Sequence, residues 1–267
     1  MLSEIRPADA PPDIAAIYDD ISATSGVPVV NLIWRHFASL PGVLAWAWTA
    51  VRPLVGSMEM ETARARIARG VALPAIARPA QACWAKAGID AAMLPELRRV
   101  MAAYVRGNLT NMVALTALRM RLDAPERPAV QLTPAPAQPV AAPLPTLPRI
   151  EMLPIDLTTV IRALAASHDG AGNGVIPSLY LALAPWPGVV MALATWLGSL
   201  YVPQAMRAAR ESVVRAAEAE AAVMLPVVGP APEGLAVMRP TLDRFTRLVI
   251  PDMIPVCIAL DDLLPTQ

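Results

Sequence analysis

An all-α fold, arranged as a tandem duplication of one helical unit that closes on itself as an intramolecular pseudo-dimer, is what this 267-residue sequence predicts. Three observations carry the prediction. No segment shows a convincing period-2 alternation of apolar and polar residues, the mark of a half-buried strand. A hydrophobic stretch that runs into a Pro-Gly pair occurs twice, as Val29 to Val43 and again as Val175 to Val189, with the Pro-Gly pairs in register and an aromatic at the same place in each, Trp34 and Tyr180. Between the copies, residues 123–154 hold nine of the 29 prolines.

The elements follow in order. In each copy a short apolar helix leads to a tight corner and then to a Trp-containing helix, Leu44 to Val55 with Trp46 and Trp48, and Val190 to Val202 with Trp196. Pro41 and Pro187 read as helix starts, where a missing N–H would be unpaired anyway. Charged helices come next, Glu59 to Arg69 and Gln204 to Glu220, with Arg and Glu alternating with Ala so that one face stays in water. Each copy closes with a hydrophobic helix, Leu109 to Leu122 and Met253 to Leu264. The expected division is residues 1–122 for the first repeat, 123–154 for a proline-rich extended linker and 155–267 for the second repeat. A linker of that length lets the second copy dock on the first, and a pocket at their seam is the default ligand site.

Composition excludes several classes. Twenty-two basic and 22 acidic side chains leave no net charge and no basic block, so nucleic acid is not an expected partner. The N-terminal residues lack the charged and apolar regions of a signal peptide, which predicts a cytoplasmic protein with reduced cysteines at Cys83 and Cys257. Residues 170–205 carry no charge, but prolines cut them into pieces too short for a membrane span, and a buried hairpin is expected instead. His36 and His168 are too few and too isolated for a metal centre. The glycine-rich run after Asp169 lacks the ligands of a calcium loop, and no P-loop, GxGxxG or GxSxG is present. No cofactor is expected.

Few candidates for chemistry remain. Asp169 stands on the loop after the first helix of the second copy, where the first copy has Ala23. It reads either as a turn residue or as the acidic group of an asymmetric site. Asn108 and Asn111, at the head of the last helix of the first copy, face apolar counterparts, Ile250 and Met253. Asn108 reads either as an N-cap or as a polar group of the site. Trp34, Phe37, Tyr180 and Phe245 either pack the core or line an apolar pocket.

This ordered set resembles the group I α-haloacid dehalogenases, which act on both enantiomers of 2-haloalkanoic acids. The resemblance covers most of the chain, through the two helical repeats, the linker, the Trp34-xx-Phe37 pair, the Asn108 segment and the Asp before the second hairpin. It implies a small anionic substrate and direct hydrolysis, in which an aspartate-activated water displaces halide with inversion and no covalent ester forms. Asp169 matches the activating aspartate, and Asn108 the asparagine that holds the water. Asn111 stands where the family has a tyrosine, and Trp34 and Phe37 match pocket-wall residues. Ser167 and His168 precede Asp169 where the substrate carboxylate would be received. In an apolar cavity Asp169 would be desolvated and so a stronger base. The alternative is a catalytically silent helical binding protein that keeps the duplicated cavity. A homodimer of the whole chain is compatible with either. Each unit is also distantly similar to the alkylhydroperoxidase helical fold, through Pro79 to Gly88, but Cys83 lacks the second thiol that a disulfide-cycling peroxidase needs.

Overall fold

The computed structural model describes residues 2–124, 130–139, 142–169, 176–232 and 234–265. Among these residues the fold is all helical, without a β-strand; the one extended pairing is an isolated bridge between Ser57 and Pro134. Twelve α-helices are described: α1 Pro12–Ser25, α2 Leu32–Ala38, α3 Val43–Val55, α4 Met58–Gly70, α5 Gln81–Lys86, α6 Leu94–Arg121, α7 Ile155–Ala166, α8 Ser178–Ala182, α9 Pro187–Trp196, α10 Pro203–Met224, α11 Arg239–Arg244 and α12 Ile250–Leu263. No helix among the described residues is long and apolar enough to cross a membrane.

Local chemistry explains the boundaries. α4 starts where the Ser57 hydroxyl accepts the Met60 N–H, and Glu59 and Glu61 place negative charge at the positive end of its dipole. α9 and α10 begin on Pro187 and Pro203, as proline's missing donor favours. Pro41 does not start a helix: Pro41-Gly42 forms a turn, Gly42 takes a left-handed φ of 74°, and α3 begins at Val43. The two Pro-Gly pairs are thus aligned in sequence but differ in backbone conformation.

The largest departure from expectation is α6. It begins at Leu94 rather than Leu109, so Asn108 lies deep inside a 28-residue helix and caps nothing. At 1.5 Å per residue the helix is about 42 Å long, enough to thread two cores. One core joins α1–α4 and the second half of α6 to the C-terminal half of α10, α11 and the start of α12. The other joins α5 and the first half of α6 to α7–α9, the start of α10 and the end of α12. α11 and α12 run on through a π-helical turn, Phe245–Val249.

The described residues of 130–154 are exposed or half-buried. Met58 N–H donates to Thr133 O at 2.8 Å and Ala135 N–H to Gly56 O at 2.8 Å. Leu144, Leu147 and Leu153 cover the second core. Both cysteines are free thiols, Cys83 exposed and Cys257 buried.

Candidate active site

The stripe Tyr104, Gly107, Asn108 and Asn111 is spaced to share one face of α6. Against it runs the 27–31 segment that leads into α2. The two come into van der Waals contact at Gly107, where a Cβ would lie 3.4 Å from Val27 and 3.8 Å from the Asn31 carboxamide oxygen. Asn31 precedes α2 but its side chain makes no capping hydrogen bond.

Two adjoining hollows open along this crossing and share Val27, Val29, Asn31 and Gly107. The first has room for about one water and is walled by Trp34, Trp48, Thr110 and Asn111. The second is of similar size and is walled by Tyr104, Asn108, Leu144 and Ser178.

Around the first hollow Trp34, Thr110 and Asn111 are held in place. Trp34 Nε1 donates to Asn111 Oδ1 at 2.7 Å, and Phe37 and Trp48 meet the Trp34 ring edge-on at 5.9 and 5.8 Å between centroids. Arg64 Nη1 donates to Thr110 Oγ1 at 2.9 Å, and Glu61 joins both Arg64 and Arg106. Burial opposes charge on Glu61, yet the two guanidinium groups hold its carboxyl below the usual range. This set rigidifies the wall.

Behind the second hollow lies a buried polar chain. Asn108 Nδ2 donates to Cys257 Sγ at 3.5 Å, and burial pushes that thiol up to about 12, so it is protonated and unreactive at neutral pH. His168 Nε2 and Tyr180 Oη share a hydrogen bond of 2.5 Å, and Tyr180 Oη lies 3.1 Å from Tyr201 Oη. Burial lowers His168 to about 4 and raises both tyrosines, so all three are neutral at pH 7. Arg210 bridges two carboxylates, the wholly buried Asp252 at 3.1 Å and Asp169 at 2.7 Å.

The expected residues therefore divide. Trp34, Asn111 and Asn108 line the two hollows. His168 and Tyr180 meet each other in the chain behind them. Phe37 and Phe245 belong to the first core and line neither hollow; Phe245 is held there by the π-helical turn. Ser167 is exposed and its hydroxyl donates back to Ala163 O at 3.2 Å, so it is not presented to a substrate. Asp169 is not desolvated: its side chain is 65% exposed, it lines neither hollow, and its Oδ2 accepts from Arg210. The glycine-rich run that follows it, residues 170–175, lies outside the described residues, as does Val175 of the second aligned stretch.

Sequence reasoning missed Tyr104, Asn31, Ser178, Arg210 and Asp252. The signal for Tyr104 was present in the polar stripe 104, 107, 108 and 111, but it is readable only if the helix is continued back through Gly107. Arg210 and Asp252 lie on α10 and α12 and meet only in the folded chain.

No family model matches the chain, and no curated protein matches it in sequence. Solved structures do match. A D-2-haloacid dehalogenase mutant superposes with a TM-score of 0.85 at 17% identity, over 99% of this chain and 96% of that one. A D-2-haloacid dehalogenase mutant in complex with D-2-CPA gives 0.79 at 19% identity, over 99% and 94%. The same kind of enzyme with L-LA gives 0.78 at 19% identity, over 99% and 94%. Over almost its whole length, the chain shares the fold of D-2-haloacid dehalogenases.

Proposed function

We propose that the chain hydrolyses the carbon–halogen bond of short 2-haloalkanoic acids, giving a 2-hydroxy acid and halide. The observation that carries this reading is the gathering of Trp34, Asn108 and Asn111 on two adjoining hollows, in a fold whose solved relatives are 2-haloacid dehalogenases. The apolar walls, Val27, Val29 and the Trp34 ring, suit a short alkyl chain and a polarisable halogen.

In the proposed reaction a water oxygen attacks the α-carbon as the halogen leaves with the bonding pair, and the water's proton passes to Asp169, whose side chain lies outside both hollows and has to turn toward the water to take it. Asn108 holds the water, its carboxamide already oriented by Cys257. Positioning along the carbon–halogen axis supplies much of the rate. Arg210 donates to one of its oxygens, leaving the other to act.

The exposure of Asp169 and its pairing with Arg210 favour a second reading, a catalytically silent binding protein that uses the same hollows. Halide release separates the two. Purified protein given 2-chloropropionate is expected to release chloride, with at least about a 100-fold loss in Asp169→Asn, the lower range for losing a general base. Absence of chloride from every short 2-haloacid establishes the silent reading.

A further inference from the structure

Asn31 stands where a helix N-cap is expected, and it does not cap. Its backbone carbonyl accepts the first hydrogen bonds of α2, from Trp34 N–H at 3.0 Å and Arg35 N–H at 3.3 Å, but its carboxamide takes none of the helix's free N–H groups. Asparagine at this position ordinarily stabilises a helix through that side-chain bond. Here the side chain is turned to the crossing with α6, where it borders both hollows and its oxygen lies 3.8 Å from the place of a Cβ on Gly107. Among the described residues the carboxamide has no hydrogen-bond partner.

The second hollow has the size and the lining of a water site. It has room for about one water, and a buried water makes about three hydrogen bonds. Of the polar side chains on its wall, the Tyr104 hydroxyl has Ser178 as its partner, which leaves the carboxamides of Asn31 and Asn108. Asn108 gives one amide hydrogen to Cys257 Sγ, and its oxygen is free to accept. The rest of the lining offers no polar side chain.

We propose that Asn31 and Asn108 together seat the water that attacks the substrate, with Asn31 Nδ2 donating to one lone pair of its oxygen and Asn108 Oδ1 accepting one of its hydrogens. The second hydrogen is left for Asp169, and the second lone pair forms the bond to the α-carbon as halide departs with its own bonding pair. The use of the water as nucleophile rests on the hydrolytic reading; the seat itself does not.

The test uses Asn31→Leu, which removes both polar atoms at similar size. In wild-type crystals that diffract well enough to order waters, a water is expected about 2.7 to 3.2 Å from both Asn31 and Asn108, and it is expected to be gone from Asn31→Leu. With 2-chloropropionate, the variant is expected to lose about 10-fold in kcat, the worth of one hydrogen bond to the attacking water, with KM held within about twofold. Its melting temperature is expected to match the wild type's, because no capping bond is lost. A wild-type hollow without that water, or a water that stays in place in Asn31→Leu, overturns the proposal. So does an unchanged kcat in a variant whose parent releases chloride, a loss confined to KM, or a melting temperature lowered by several degrees, which would give Asn31 a structural role. An Asn31-dependent water in protein that releases no halide keeps the seat and removes the hydrolytic reading. Halide release without that water does the reverse.

Discussion

His168 is held neutral by its surroundings, and that has a measurable consequence. Burial is the main cause, with the charge of Arg210 in support and that of Asp169 opposed; Tyr180 and Tyr201, which also face the ring, are themselves kept protonated. Its folded value of about 4 lies below the ordinary 6.5, so the unfolded chain takes up the proton first as pH falls. Stability from this residue is intact above about pH 6.5 and drains toward pH 4, by about 3 kcal/mol at the lower limit. Urea midpoints between pH 7 and 4.5 are expected to fall steeply in the wild type and less steeply in His168→Gln. Equal slopes would contradict the assignment. The sequence places His168 directly before Asp169. In the fold Arg210 takes the carboxylate and Tyr180 takes the imidazole, a choice made by α8 and α10 that no neighbouring residue announces.

At the scale of elements, the two Pro-Gly corners show where sequence similarity stops being structural identity. Gly42 is needed for its left-handed backbone and has open space around it, whereas Gly188 sits in the first turn of α9 pressed against the Ala87 backbone, where a Cβ would fall onto the carbonyl. Gly42→Ala is expected to cost about 1 kcal/mol from backbone strain, and Gly188→Ala about 3 kcal/mol, because backbone cannot yield as a side chain can. Urea unfolding of both variants checks the order; equal losses, or a tolerated Gly188→Ala, would refute it. The Trp-containing and charged helices were legible because hydrophobic spacing, prolines and acidic first turns mark them locally. The start of α6 was not, because Arg106-Gly107-Asn108 reads as a break. Packing overrides the roughly 1 kcal/mol that glycine costs inside a helix.

At the scale of the whole molecule, the division expected at residues 122 and 155 cuts through both cores. α5 and the first half of α6 pack with the second half of the chain, while the C-terminal half of α10 and the start of α12 pack with the first. Composition and periodicity reveal which residues are buried but not which core receives them, so the helical class was readable and the exchange between halves was not. That exchange brings α6 against α10 and α12 and sets Asn108 beside Cys257. The site is a product of the whole chain rather than of either half.

The central proposal, that a water rather than an enzyme carboxylate attacks the substrate, is tested most directly by a single turnover of 2-chloropropionate in ¹⁸O-labelled water with enzyme in excess. Direct hydrolysis predicts one labelled oxygen in the 2-hydroxy acid at the first turnover and no label in the peptide bearing Asp169. Unlabelled product, with ¹⁸O in the Asp169 carboxylate, would contradict it.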